Sequence, residues 1–199
     1  MCVIPIVEGH GEDKAVPILL RRIWTELLGG DFIQVLRPIR GSRHKLVRKE
    51  ELERRMTLAS SKLTEACAPE SPAMVLVLID ANSSLPCVLG PQLFSLAKEC
   101  RPDVDVACVL ANLEFETWFV ASAESLRDFL DFPADAPSPL DPEQTRSGKG
   151  WIQKHFKGPK YSETLDQPRM TAKMDLALCR ERSASFDKLC RELEARKQA

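Results

Sequence analysis

Hydrophobic residues in the first half of the chain follow two patterns, short continuous runs and longer stretches at helical spacing. Four short runs predict strands at residues 3–7, 32–36, 74–79 and 104–110. Helical spacing between them predicts helices at 15–28, 50–67 and from 90 to 99. The run at 74–79, MVLVLI, is apolar at every position, which is typical of a central parallel strand that is covered on both faces.

The predicted order β-α-β-α-β-α-β, with short connections, indicates an α/β fold with a four-stranded, mainly parallel sheet flanked by helices. We assign residues 1–125 to this core. Residues 126–199 form a loop-rich and helical C-terminal extension, which we expect to pack on the core as part of a single domain. Within the extension we predict loops at 131–149 and 157–168 and helices at 170–182 and 185–197. The first loop is predicted because it carries four prolines. Ser183 or Ser185 is the predicted N-cap of the last helix.

Acidic residues follow three of the predicted strands. Glu8 comes directly after the first strand, Asp80 after the third, and Glu114 and Glu116 after the fourth. The carboxyl ends of parallel strands lie at one edge of a sheet, where α/β proteins bind their ligands. Carboxylates that meet there repel one another, and a hard divalent cation such as Mg²⁺ relieves that repulsion with oxygen ligands. The sequence therefore predicts a metal site at this edge.

A purely structural role is the alternative for each acid. An Asp or Glu after a strand is often the N-cap or a first-turn residue of the next helix, where it complements the helix dipole. For any one acid alone this alternative is favoured, and it is clearly favoured for Glu12 and Asp13. The joint placement of Glu8 and Asp80 is the argument for a site.

Two basic segments are candidates for binding a phosphate backbone through charge. The first follows the second strand and includes Arg40, Arg43 and Lys45, and the second includes Lys149 and Lys160. A solvated surface is the competing interpretation of both. The GxxxxGK[ST] spacing of a Walker A motif is absent, so the sequence does not support ATP hydrolysis by this chain.

Composition limits the class of protein. The net charge of −1, from 28 basic and 29 acidic residues, means that any nucleic-acid interface must come from local asymmetry. No apolar run reaches the roughly 18 residues of a membrane span, and no secretory signal is visible, so we expect a cytoplasmic protein without a membrane contact. The seven cysteines form no CxxC pair and are expected to be reduced thiols, with five in the core: Cys67, Cys100, Cys108, Cys179 and Cys190.

A strand that ends in Glu-Gly and a later strand that ends in Asp-x-Asp resemble the TOPRIM pattern of topoisomerases, primases and the overcoming-lysogenization-defect nucleases. More closely, the segments VEGHGE, LIDAN, LEFETWF, YSETLDQPRMTAKMDLAL and SFDKLCREL resemble a bacterial TOPRIM-like family of unknown function, number 4276. This resemblance covers nearly the whole chain. It implies Mg²⁺- or Mn²⁺-dependent phosphodiester chemistry, with Glu8 as general acid/base or ligand and Asp80 as ligand. It also implies an ATPase protein partner in phage defence.

The chain departs from the TOPRIM pattern at Asn82, which replaces the second acid of Asp-x-Asp. An amide oxygen still binds a hard cation but carries no charge, so Glu116 is the candidate for the missing carboxylate. The leading hypothesis is a metal-dependent nuclease-like protein. A catalytically degenerate subunit that binds a partner protein or nucleic acid is the alternative, and phosphoryl transfer on a small nucleotide stays open as well. The sequence does not fix the oligomeric state.

Overall fold

The computed structural model of the protein describes residues 1–68, 70–132 and 141–198. Its sheet contains, in the described part of the chain, the strands β1 (Cys2–Val7), β2 (Gln34–Val35), β3 (Ile39–Arg40), β4 (Ala73–Asp80) and β5 (Val106–Ala111). All pairs are parallel, in the order β2-β1-β4-β5, and β3 also pairs with β1. The α/β class and the mostly parallel sheet predicted from the sequence are confirmed.

Helices cover both faces of the sheet. Their bounds are α1 (Glu12–Arg22), α2 (Arg43–Leu46), α3 (Lys49–Ala66), α4 (Pro86–Cys100), α5 (Glu116–Ala121), α6 (Gly148–His155), α7 (Glu163–Thr171), α8 (Leu176–Arg182) and α9 (Ala184–Lys197). A π-helical segment, Ile23–Leu27, continues α1. Helices α3 and α4 pack on one face through residues such as Met56 and Leu93. Helices α1 and α5 pack on the other face together with the C-terminal helices.

The sheet has five strands among the described residues, and the predicted number of four was wrong. The predicted second strand, residues 32–36, is present only as β2, and β3 lies beyond the predicted span; they pair with the beginning and the end of β1. Pro38 lies between them. Proline has no N–H to donate and restricts the residue before it, so the edge strand is interrupted there.

The C-terminal extension is more helical than the sequence suggested. The predicted loop at 157–168 contains the beginning of α7, and the single helix predicted at 170–182 is two helices. The carboxylate of Asp166 accepts the N–H of Ser162 at 2.9 Å, which closes the first turn of α7 despite Pro168. Asp175 then caps α8 by accepting the N–H of Leu178 at 2.9 Å. Of the predicted loop at 131–149, residues 133–140 lie outside the described residues.

A polar network holds α9 against the end of β5. The carboxylate of Glu143 accepts hydrogen bonds from the Ser183 hydroxyl at 2.7 Å and from the Ser185 hydroxyl at 2.9 Å. The indole N–H of Trp118 donates to Ser185 at 3.0 Å. Burial raises the pKa of Glu143, but these hydrogen bonds outweigh it and the net shift is downward. Ser183 also caps α9, as one of the two predicted alternatives.

The cysteines differ from the prediction in one pair. Cys2, at the beginning of β1, and Cys67, at the end of α3, form a disulfide bond. The two residues are 65 positions apart, so only the packing of α3 on β1 brings them together. Cys108, Cys179 and Cys190 are free and buried as predicted. Cys100, also predicted to be in the core, is only partly buried.

The packing of α7 on α1 leaves no space for a side chain at Gly11. A Cβ atom there would lie 2.2 Å from Oε1 of Gln167 and 2.6 Å from the carbonyl oxygen of Glu163. Gly11→Ala should therefore lower the free energy of unfolding by about 1–3 kcal/mol in urea titrations, because the helices must separate. Gly90→Ala in α4 is the matched control, since its Cβ would meet only Leu110 at 3.7 Å. The control should be neutral or slightly stabilising. Equal stability of the two variants would contradict the described packing.

Candidate functional site

Three predicted acids lie at the carboxyl edge of the sheet. Glu8 follows β1, Asp80 is the last residue of β4, and Glu116 is the first residue of α5. Val7 pairs with Leu78, so the ends of β1 and β4 are neighbours. The side chain of Asp80 accepts the N–H of Phe115 at 2.8 Å, which fixes its carboxylate against the beginning of α5.

A fourth acid, Glu12, belongs to the same cluster, although the sequence analysis favoured a helix-end role for it. Its Oε2 accepts the backbone N–H of Glu8 at 2.9 Å and that of Gly9 at 3.2 Å. The side chain is only 5% exposed. Glu12 thus has both roles, because it closes the turn after β1 and contributes a buried carboxyl to the edge. We name Glu8, Glu12, Asp80 and Glu116 the acid cluster.

Burial raises the pKa values of three members of the acid cluster. Burial raises the pKa of Glu12 to about 7, with repulsion from Glu116 and Glu8 adding to it. The pKa of Asp80 is raised well above its usual range, by burial and then by the charges of Glu12 and Glu116. Burial also raises the pKa of Glu116. The cluster therefore holds protons at a pH at which ordinary carboxyls are ionised.

The C-terminal extension fixes Glu116. Oε1 of Glu116 accepts the hydroxyl of Tyr161 at 3.0 Å and the amide of Gln167 at 3.3 Å. Burial and the charge of Glu116 raise the pKa of Tyr161, so its phenol remains a neutral donor. Both partners belong to the YSETLDQPRM segment of the C-terminal extension, whose expected role was to pack on the core. That role includes positioning a member of the acid cluster.

Glu8 is the acid whose hydrogen bonding is incomplete. Its Oε2 is buried and has no partner within the described part of the chain. Among residues 1–68, 70–132 and 141–198, no three His, Cys, Asp or Glu side chains are arranged to hold a metal ion. Mg²⁺ is commonly held by one or two carboxylates, with waters and substrate oxygens completing the shell. Glu8 and Asp80 fit that limited role.

Asn82, the predicted fourth ligand, is exposed and lies in a strained turn. Its φ is 50°, and its N–H donates to the carbonyl of Leu113 at 2.8 Å. Leu113 also has a positive φ, 61°, which is uncommon for a large side chain. A hydrogen bond between two residues in the left-handed backbone conformation thus joins the turns that follow β4 and β5. Asn82 supports this contact through its backbone, and no hydrogen bond of its side chain to the acid cluster is found in the described residues.

Two of the predicted basic residues lie beside the cluster. Arg40 pairs with Val7 in β3, and its Nη1 is 3.0 Å from Nε2 of His10. Arg43 donates to the carbonyl of Ala81 at 3.1 Å and to Ser84 at 2.5 Å, so its guanidinium supports the turn after β4. Both residues bring positive charge to the acidic edge.

The other predicted basic residues are distributed differently. Lys149 forms an ion pair with Glu163, and its pKa is raised because this pairing outweighs partial burial. Lys45 and Lys160 are exposed. Glu114, the alternative to Glu116, accepts the N–H of Lys149 at 2.8 Å and caps α6. Glu116, and not Glu114, therefore joins the acid cluster.

The model of one protein family matches residues 7–194, which is most of the chain. The chain belongs to the DUF4276 family. Its description is a domain of unknown function, so membership of DUF4276 assigns no activity. No curated protein matches the chain, and no solved structure matches it. In the described residues of this DUF4276 protein, no helix has the length and apolar character that crossing a bilayer requires.

Substitution of Glu12 tests the electrostatics of the cluster. A carboxyl whose pKa rises on folding binds its proton more tightly in the folded state, so stability falls as pH rises. For Glu12, the free energy of unfolding decreases between pH 4.5 and about 7, by at most about 3 kcal/mol. Glu12→Gln keeps an oxygen for the two backbone N–H groups. The variant should be more stable than wild type above pH 7. Below pH 7 its stability should depend less on pH than that of wild type.

Chemical denaturation at several pH values, with a chelator present, measures this difference. Asp13→Asn is the control, because Asp13 lies beside Glu12 but is partly exposed and faces Arg37 at 3.9 Å. If the stability of Glu12→Gln depended on pH in the same way as that of wild type, Glu12 would not be a source of the repulsion in the acid cluster.

Proposed function

We propose that this DUF4276 protein is a metal-dependent nuclease-like enzyme that acts on nucleic-acid phosphodiesters at the acid cluster. One observation carries the proposal. Four acidic side chains, from α1, β4, α5 and the turn after β1, crowd the carboxyl edge of a parallel sheet, and one of them, Glu8, has a buried oxygen without a partner in the described residues. A divalent cation at this edge would neutralise the repulsion and use the free oxygen.

Glu8 and Asp80 would hold the cation, Mg²⁺ or Mn²⁺. When bound, the cation supplies Lewis-acid polarisation of a phosphodiester oxygen. Glu8, if it is not a ligand, is the candidate general acid/base. Glu12 fixes the turn that carries Glu8, and Tyr161 fixes Glu116, so the positions of the acids are set before substrate binds.

Positive groups beside the cluster support a phosphate-containing substrate. Arg40 and His10 lie next to the end of β1 and are exposed. Lys149 lies near Glu116, whose charge contributes to its raised pKa. Such groups bind a phosphate backbone through charge and without base specificity. The resemblance of the Glu-Gly and Asp-x-Asn segments to TOPRIM proteins supports the same chemistry, together with an ATPase partner in bacterial phage defence.

Cleavage of supercoiled plasmid and of a labelled single strand, with Mg²⁺ or Mn²⁺, tests the proposal. Wild type should nick or cleave in a cation-dependent manner, and Glu8→Ala should lose at least about 100-fold of the rate, as expected for a group that takes part in proton transfer or metal binding. Asp13→Asn is the control and should retain activity. Equal cleavage by wild type and Glu8→Ala would reject this site.

A catalytically degenerate subunit is the second candidate, and Asn82 favours it. Asn82 replaces an acid of the TOPRIM pattern, is exposed, and forms no side-chain hydrogen bond with the acid cluster in the described residues. In that case the edge would bind a cation or nucleic acid without cleaving it. Cation binding in the absence of any cleavage, with plasmid retained on the protein, would support this candidate over the enzyme.

A further inference from the structure

The outer edge of β5 has backbone groups that no other strand uses. In the described part of the chain β5 pairs with β4 alone. Val75 donates to the carbonyl of Asp105 at 2.9 Å, and Ala81 donates to that of Ala111 at 2.8 Å. In a parallel ladder alternate residues face the partner strand. The odd-numbered residues of β5 therefore face β4, and the N–H and C=O groups of the even-numbered residues point outward.

Side chains occupy the two ends of this outward row. The carbonyl of Val106 accepts Nη2 of Arg196 at 3.1 Å. The N–H of Asn112, just beyond β5, donates to Ser185 at 3.2 Å. Between them lie Cys108 and Leu110, whose outward N–H and C=O groups have no hydrogen-bond partner among the described residues.

The two residues that carry these free groups are largely buried, although they line a cavity. Cys108 is 7% exposed and Leu110 is 4% exposed. Backbone polar groups at such depth are nearly always hydrogen-bonded, since an unpaired one costs free energy. Four consecutive donors and acceptors in one buried row thus indicate a missing partner with the same two-residue repeat.

A cavity of about 830 Å³ lies along this row, between α4 and α9. The wall from α4 is mostly apolar and includes Phe94, whereas the wall from α9 is mostly charged and includes Lys188. Charged and polar side chains stand at its two ends, with Lys98 and Asp105 near the beginning of β5 and Glu143 near its end. The cavity has the volume of a ligand site, about 300–1,000 Å³.

We propose that this groove binds an extended segment of a partner protein, which adds a strand to the sheet beside β5. Strand addition uses main-chain hydrogen bonds for affinity and side-chain pockets for specificity. The segment would pair with Cys108 and Leu110, with apolar side chains towards Phe94 of α4 and polar or charged side chains towards Lys188 of α9. This interaction surface is independent of the acid cluster.

A second copy of this chain is a poorer occupant. Its own β5 is recessed between α4 and α9 in the same way, as the low exposure of Cys108 and Leu110 shows. Two recessed edges cannot approach to the 4.7–4.9 Å spacing of paired strands without a collision of the flanking helices.

The test selects binders from a random heptapeptide library displayed on phage, with the full chain as target, and measures amide hydrogen exchange with the selected synthetic peptides. In the free protein the amides of Cys108 and Leu110 should exchange faster than those of Ala107 and Val109, which face β4. Peptide binding should slow Cys108 and Leu110 at least tenfold and leave their two neighbours unchanged. This alternation distinguishes strand addition from a contact with side chains alone.

A proline variant gives a matched comparison. Cys108→Pro removes an outward N–H without breaking the β4–β5 ladder, and proline is tolerated on edge strands in this orientation. It should bind the selected peptides about tenfold more weakly, whereas Cys108→Ala should bind them like wild type. Thermal unfolding of both variants confirms that they are folded, and N-methylation of alternate peptide residues provides the same comparison if Cys108→Pro does not fold.

The proposal would be overturned if no peptides could be selected, or if the selected peptides left the exchange of the Cys108 and Leu110 amides unchanged. Slow exchange of these two amides in the free protein would also overturn it. So would protection that appears only as the protein concentration rises. The last result would assign the edge to a second copy of the chain.

Discussion

Crowding of carboxyl groups at one end of a parallel sheet is the constraint on which this structure depends. Parallel strands deliver whatever follows them to the same edge, and here Glu8 and Asp80 follow neighbouring strands. Burial then removes the water that would screen their charges. The result is a set of carboxyls with raised pKa values and one buried oxygen of Glu8 without a partner in the described residues. A protein keeps such a repulsive arrangement at a cost in stability, which is why function is the natural explanation for it.

The C-terminal extension completes the edge as well as covering the sheet. Tyr161 and Gln167 contact Glu116, and Gly11, directly before α1, has no space for a side chain beside α7. At the other end of the extension, Glu143 binds Ser183 and Ser185 and so fixes α9 beside β5. The same packing forms one wall of the groove along β5. Both proposed surfaces therefore depend on residues far apart in the chain.

The sheet could be predicted from the sequence because its signals are local. The continuous apolar run of β4 and the acids at 8 and 80 need no knowledge of packing. The buried role of Glu12 could not be predicted, since a first-turn acid looks the same whether it faces solvent or the end of β4. The disulfide of Cys2 with Cys67 and the pairing of β3 with β1 also depend on tertiary contacts. The beginning of α7 was predicted as a loop, whereas Asp166 closes its first turn despite Pro168.

Direct titration of the metal-free protein with Mn²⁺, followed by electron paramagnetic resonance of the free ion, tests the central claim without any substrate. The account predicts one saturable site in wild type that is lost or weakened at least tenfold in Asp80→Asn, a variant that keeps an oxygen for the Phe115 N–H. Asp13→Asn should bind like wild type. Absence of saturable binding in wild type, or equal binding by Asp80→Asn, would contradict the assignment of the acid cluster as a cation site.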